Sequence, residues 1–297
     1  MKKYFKFLSL FLALLILCSA SVLAVGAETV YEMYGYSYTI LNNTSLSLYG
    51  WDDSSSDLVI PNYIMDRYFT QIGARALQND SVITSVDFSK ASKLNFIGFY
   101  AFEGCTALEN DLIIPETVTT IREGAFKNCT SLPSVTINAN VTEIQRESFY
   151  GCTSLKRAVL PETVTFIDVL AFGECPNLER VNIPKSVESI DDFAFKNDSN
   201  LVLEVYTDTA GHQYAVNNRI DHMVLDRQSG DVNFDGSVDI LDSTEIQKFA
   251  AEKTEFTDDQ FEMADINKDD FADVMDALLI QKYAIGKYDI PPIIIRY

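Results

Sequence analysis

The sequence predicts a repeat solenoid, with parallel strands on one side, joined to a small all-α module built on paired acidic loops. Two observations predict it. Between about Leu58 and Tyr206 the apolar positions return every 23 residues, and a fixed period of this size means stacked coils. In the last seventy residues two twelve-residue acidic stretches stand 34 residues apart, DVNFDGSVDILD from Asp231 to Asp242 and DINKDDFADVMD from Asp265 to Asp276.

The chain opens with Lys2, Lys3 and Lys6, runs through apolar residues from Phe7 to Leu17, and reaches Val25-Gly26-Ala27 before Glu28. This pattern predicts a secretory signal peptide over residues 1–27, cleaved after Ala27. A retained anchor is the alternative, since Phe7 to Val25 is nearly long enough to span a bilayer. Cys18 follows Leu17, whereas a lipoprotein signal has a small residue there, so it is read as an ordinary cysteine of the apolar run. Cleavage would remove three lysines and no acids, taking the formal charge from −20 to −23. Such a charge disfavours nucleic acid and anionic membrane surfaces as partners, and it fits a soluble, secreted, extracellular protein with no membrane contact after cleavage. The remaining length allows two folded units.

Residues 28–57 are predicted to form an N-terminal cap, because Tyr31 to Tyr49 alternate like a hairpin that covers the first coil. Residues 58–207 hold the repeats. Val118, Val141, Val164 and Val187 share one register position; Ile121, Ile144, Ile167 and Ile190 share the next; then come Phe126, Phe149, Phe172 and Phe195, and Leu132, Leu155, Leu178 and Leu201. Each unit carries a short strand of the form Leu178-Glu179-Arg180-Val181-Asn182-Ile183-Pro184, in which alternate side chains turn inward and proline stops the strand. One repeat cannot bury its own apolar face; about six stacked repeats make a continuous core. Residues 208–229 leave the pattern and are read as a C-terminal cap, with a short helix from Tyr214 to Ile220, a following strand, and a brief connection at Arg227 to Gly230.

Cys105, Cys129, Cys152 and Cys175 each fall three residues after the repeat Phe or its equivalent, while Asp80 and Asp198 fill the same slot elsewhere. A slot shared with Asp is not a disulfide framework. The expectation is a ladder of buried free thiols that satisfy backbone groups inside the turn. Zinc is not expected there, because no C-x-x-C pair or neighbouring His accompanies them. The string IPETVTTIREGAFKNCTSL, repeated as LPETVTFIDVLAFGECPNL, resembles the BspA-like bacterial leucine-rich repeats of secreted and surface proteins. The likeness spans about half the chain and implies a leucine-rich repeat solenoid.

The acidic loops place oxygen-bearing side chains at loop positions 1, 3, 5, 9 and 12: Asp231, Asn233, Asp235, Asp239 and Asp242, then Asp265, Asn267, Asp269, Asp273 and Asp276. Ser237 and Phe271 offer backbone carbonyls at position 7. Ca²⁺ takes six to eight oxygens, and a twelve-residue loop with alternate acids can wrap them around it. Two ions are therefore expected, one per EF-hand-like loop. Position 12 is Asp rather than Glu, Gln228-Ser229-Gly230 cannot supply an entering helix, and the string Ile246-Gln247-Lys248-Phe249-Ala250 returns as Ile280-Gln281-Lys282-Tyr283-Ala284. Together these features closely resemble the type I dockerin of cellulosomal proteins over about residues 230–290. The resemblance implies a calcium-folded module, here residues 230–297, that binds a cohesin domain of a scaffoldin. It also implies that Ile240-Leu241 and Val274-Met275, with Lys248 and Lys282 further along each helix, contact that partner. Asp270 replaces the usual position-6 Gly, so the second site is expected to be the weaker.

Enzymatic motifs are missing. No G-x-S-x-G, P-loop or HExxH string occurs, and His212 and His222, the only histidines, have no nucleophile motif beside them. The leading expectation is a non-catalytic binding protein whose solenoid holds an unidentified protein or glycan on outward strand residues Ser134, Thr136, Arg157, Val159, Arg180 and Asn182. A glycoside hydrolase component of the same complex and an adhesin for cells or plant fibre are the alternatives.

Overall fold

Alternation of aromatic and small polar residues at the start of the chain produces an antiparallel meander. Strands β1 (Val22–Val25), β2 (Glu28–Met33), β3 (Tyr36–Ile40) and β4 (Ser45–Trp51) pair in succession. The computed structural model describes residues 22–25, 28–52, 55–225, 229–290 and 294–295. The predicted signal segment lies outside these except for β1, which cleavage after Ala27 would remove. The chain divides into two units, Met1–Leu178 with Asp191–Ser199, and Glu179–Ile190 with Asn200–Tyr297.

In the first unit the strands continue as β5 (Asp57–Val59), β6 (Tyr63–Ile64), β7 (Arg67–Ile72), β8 (Ser85–Asp87), β9 (Phe96–Ile97), β10 (Leu112–Ile114), β11 (Thr120–Ile121), β12 (Ser134–Ile137), β13 (Glu143–Ile144), β14 (Arg157–Val159) and β15 (Phe166–Ile167). The strands predicted from the L-x-x-V-x-I pattern pair in parallel, β10 with β12 (Leu112↔Val135) and β12 with β14 (Ser134↔Arg157). A second parallel ladder, absent from the sequence-based expectation, joins β7, β9 and β11, and likewise β13 and β15. Its members are mostly two residues long, too short for an alternation to show. The N-terminal cap has one strand more than a hairpin. Through β4 it pairs in parallel with β7 (Leu46↔Phe69), so the cap continues the second ladder, and Tyr38 sets its ring edge against the buried Phe69.

The repeat rows become stacks. Phe102, Phe126, Phe149, Phe172 and Phe195 lie face to face with centroids 5.0, 5.4, 5.3 and 5.4 Å apart, close to the spacing of about 4.8 Å between neighbouring strands. Just before the cysteine slot the backbone turns left-handed in every coil, at Asn79, Gly104, Asn128, Gly151, Glu174 and Asn197. Gly and Asn adopt that conformation most easily, which explains the composition of this row. The thiols of Cys105, Cys129, Cys152 and Cys175 are buried and free, and each donates to a carbonyl of the preceding coil, at Leu77, Phe102, Phe126 and Phe149 (3.1–3.2 Å). Burial raises the Cys129 and Cys175 thiols above their ordinary value, which keeps them from the reactive thiolate form. All four should therefore resist alkylation in the native protein and all should react after denaturation without reductant. A mass deficit of two hydrogens per pair in the intact protein would contradict this.

Asp198 occupies the thiol slot in the last coil of this unit. One of its oxygens accepts from the Cys175 amide at 2.7 Å, while the other is buried with no hydrogen-bond partner among the described residues. Burial pushes its pKa up to about 8, with Glu174 adding to the rise and the Cys175 amide opposing it. The folded state thus binds the proton more tightly than the unfolded state. The stability contributed is complete below about pH 4 and is lost as the pH rises towards 8. Thermal melts of wild type and Asp198→Asn should converge in acid and diverge by on the order of 3 kcal/mol at pH 9, with the variant the more stable. Equal pH dependence in both would show that Asp198 is charged at neutral pH.

The second unit begins with β16 (Arg180–Asn182), β17 (Ser189–Ile190) and β18 (Val202–Val205), followed by α1 (Ala210–Asn218) and β19 (Asp221–Val224). This matches the helix-then-strand cap read from the sequence, with the helix starting four residues earlier, where Thr209 caps it by accepting from the His212 amide. Strand β18 pairs in parallel with β16 and β19. Three helices then follow, α2 (Ile240–Ala250), α3 (Asp258–Ala264) and α4 (Val274–Ala284). They enclose a core of Val232, Ile246, Met263, Ile266, Ala277 and Ile280, with Phe249 and Phe256 stacked 4.3 Å apart beside it. The last strand, β20 (Ile294–Ile295), lies antiparallel on β19, an edge pairing that no local pattern announces. Residues 227–228 of the predicted connection are outside the described residues. Among the described residues, no helix is long and apolar enough to cross a membrane.

Candidate functional site

Each acidic loop ends inside the first turn of a helix, and this overlap positions its carboxylates. Asp239 and Asp273 are the N-caps of α2 and α4, and Asp242 and Asp276, three residues on, complete capping boxes by accepting from the N-cap amides at 2.9 Å. The same position-12 carboxylates reach back across the loops. Asp242 accepts from Val232 and Asn233 at 2.8 and 3.1 Å, and Asp276 accepts from Ile266 and Asn267 at 2.8 and 3.1 Å. At position 1, Asp231 accepts from the amides of Asp235 and Gly236, as Asp265 does from Asp269 and Asp270. Asn233 and Asn267 accept from position 5, and Asp235 and Asp269 accept from the amides of Ser237 and Phe271. The two loops are therefore one geometry made twice.

The geometry concentrates negative charge where little water reaches it. Asp242 and Asp276 are fully buried and Asp231 and Asp265 nearly so, and no lysine or arginine among the described residues pairs with any of the four. Burial raises the pKa of Asp242 and Asp276; the backbone N–H bonds pull against that rise, and Asp231 and Asp265 add to it. Buried carboxylates without a cationic partner are costly, and a hard cation with six to eight oxygen ligands offsets that cost. The donor set fits Ca²⁺. Among the described residues no three His, Cys, Asp or Glu side chains close into a chelating cluster by themselves, so a full shell would need further oxygens, which Asn233, Asn267 and the position-7 carbonyls could supply. At position 6 Gly236 and Asp270 both have positive φ, +89° and +69°. The non-Gly residue costs about 1 kcal/mol there.

Of the predicted partner residues, Ile240, Leu241, Val274 and Met275 are 53–61 % exposed. Lys282 is exposed and has no ion pair among the described residues, whereas Lys248 holds Glu245 at 2.6 Å, an i,i+3 pair. Leu278, outside the predicted partner set, is 40 % exposed one turn beyond Val274, where the first half has Thr244 with its hydroxyl turned back to the Ile240 carbonyl. On the repeats, Thr136 and Val159 are half-buried and Arg157 is exposed. Ser134 donates to Asp111 at 2.6 Å, and Arg180, beside Asn182 on β16, reaches Glu204 at 3.3 Å, so these two are partly engaged. His222 is buried in the cap with its Nδ1 3.0 Å from the Ile220 carbonyl; burial lowers its pKa and the His212 ring lies 5.2 Å away.

Residues 70–202 match the BspA type leucine rich repeat region in six copies, and residues 229–284 match the dockerin type I domain. The chain thus combines a BspA-type leucine-rich repeat region with a type I dockerin domain, both of them non-catalytic binding modules, the second one calcium-binding and directed at cohesin. Among solved structures, a leucine-rich repeat protein from T. pallidum is 25% identical, with a TM-score of 0.52 over 58% of this chain and 82% of that one. A leucine-rich repeat protein from Eubacterium ventriosum is 22% identical, with a TM-score of 0.47 over 55% of this chain and 44% of that one. No curated protein matches the chain.

Proposed function

We propose that this is a secreted, non-catalytic binding protein that plugs into a cellulosomal scaffoldin and presents its repeats as a recognition surface. The dockerin, residues 230–297, would hold two Ca²⁺ ions, one through Asp231, Asn233, Asp235, Ser237, Asp239 and Asp242, the other through Asp265, Asn267, Asp269, Phe271, Asp273 and Asp276. Bound calcium supplies the positive charge that the buried carboxylates lack. The loops then hold the starts of α2 and α4 in place, and with them the exposed pairs Ile240-Leu241 and Val274-Met275. The observation that carries the reading is the repetition of one loop-and-helix geometry in which the same two positions are left apolar and open. The outward side chains of β10, β12 and β14 would hold a protein or glycan ligand. Calorimetry of the full chain against a scaffoldin cohesin should show binding with calcium and none with excess chelator; lack of binding to every cohesin tested with calcium would refute the anchoring role.

A further inference from the structure

The repeats are not uniform along the outward strand face. Where the flanking coils read Pro115-Glu116 and Pro161-Glu162, the coil between them reads Asn138-Ala139. Ala139 is buried, so the middle coil lacks the carboxylate that its neighbours project. Its backbone is pinned to the coil before it by the Asn138 amide on the Ile114 carbonyl at 2.9 Å and by the Asn140 side-chain amide on the Glu116 carbonyl at 3.0 Å. The result is an open groove of about 590 Å³ whose apolar lining includes Ile113, Pro115, Val159 and Pro161, with Glu116 and Glu162 at its sides. Ile113, on the groove wall, is 58 % exposed. Both acids are exposed, and neither has an ion-pair partner among the described residues.

We infer that this groove is a docking site for an extended protein segment carrying an arginine or lysine flanked by aliphatic residues. Charge complementarity selects that occupant. The two glutamates are carried by coils whose backbones lie two strand spacings, or about 10 Å, apart, which leaves room for a basic head between them while its aliphatic stem lies on Ile113 and Val159. One metal ion cannot satisfy both, since ligand distances are about 2.3 to 2.6 Å. A sugar would find no aromatic face among the lining residues. An acidic or phosphorylated segment would be repelled.

The inference rests on the reading of the strand face as a ligand surface and narrows its ligand to a cationic, partly aliphatic segment. It is tested on the calcium-loaded full chain by isoleucine-methyl NMR, titrating the capped tripeptides Val-Arg-Val and Val-Glu-Val. The arginine peptide should shift the Ile113 methyl saturably in the millimolar range and the glutamate peptide should not. Glu116→Gln/Glu162→Gln, two exposed changes that leave the core untouched, should weaken the arginine peptide about fivefold, while Glu109→Gln should leave it unchanged. Equal shifts from both peptides, undiminished binding in the double variant, or no saturable shift would overturn the proposal. Saturable shifts confined to other isoleucine methyls on the strand side, with Ile113 and Ile137 unmoved, would overturn the groove while leaving the strand face as the ligand surface.

Discussion

Removal of calcium should unfold the C-terminal module and spare the repeats. A chelator is expected to abolish the helical circular dichroism contributed by α2, α3 and α4 and to leave the strand signal of the solenoid nearly unchanged. The physical reason lies in the balance inside residues 230–297, which hold 16 acids and 6 bases. Their core is a handful of side chains around Val232, Ile246, Ile266 and Ile280, too little apolar burial to hold four buried loop carboxylates together without a counter-ion. The Phe stack and thiol ladder, by contrast, contain no charge that calcium would neutralise. Asp242→Ala and Asp276→Ala should each weaken one site by about tenfold or more, since each removes three backbone acceptor bonds together with a carboxylate. Of the two wild-type sites, the Asp270 loop should release its ion first on stepwise chelation. A helical signal and melting temperature indifferent to chelator would remove the metal assignment altogether.

What could be read in advance followed the distance over which each feature is encoded. The loop geometry is local: the hydrogen bonds that shape each loop join residues within twelve consecutive positions, so the spacing alone marked out Asp231 to Asp242 and Asp265 to Asp276. The Phe, Leu and Cys rows were legible because each coil repeats the same constraint, and the stacked rings reproduce the 23-residue register. Other features carry little local signal. Thr120-Ile121 becomes a strand only because Phe96-Ile97 lies beside it, and two residues cannot display an alternation. The parallel pairing of β4 with β7 and the return of β20 to β19 join segments whose own sequences say nothing about their partner. The groove between Glu116 and Glu162 was present in the sequence only by subtraction, as Asn138-Ala139 in a row of Pro-Glu. Lys248 could have been paired from its sequence, with Glu245 three positions before it on the same helix.

Cohesin binding should fail only when the apolar pairs of both dockerin halves are spoiled, or fail when one particular half is, and the structure makes the choice between these outcomes measurable. Ile240-Leu241 and Val274-Met275 sit at equivalent points of duplicated helices, just before the buried Asp242 and Asp276, so a half-turn of the module would offer a partner nearly the same apolar contact. If both orientations are used, Ile240→Asp/Leu241→Asp and Val274→Asp/Met275→Asp should each bind within a few-fold of wild type, and the combined variant should lose binding. The halves are not equal, however. Leu278 extends the second patch by an exposed turn where the first has Thr244, and Lys282 is unpaired among the described residues while Lys248 is held by Glu245. The second face therefore presents more apolar area and a freer cation. A single dominant mode should consequently depend on Val274 and Met275, with the variant in that half losing on the order of 2–4 kcal/mol, as expected for central apolar residues of an interface. Calorimetry on one scaffoldin cohesin at saturating calcium distinguishes the cases, provided each variant keeps the calcium-dependent circular dichroism of wild type. Unchanged binding by the combined variant would place the cohesin contact elsewhere on the module.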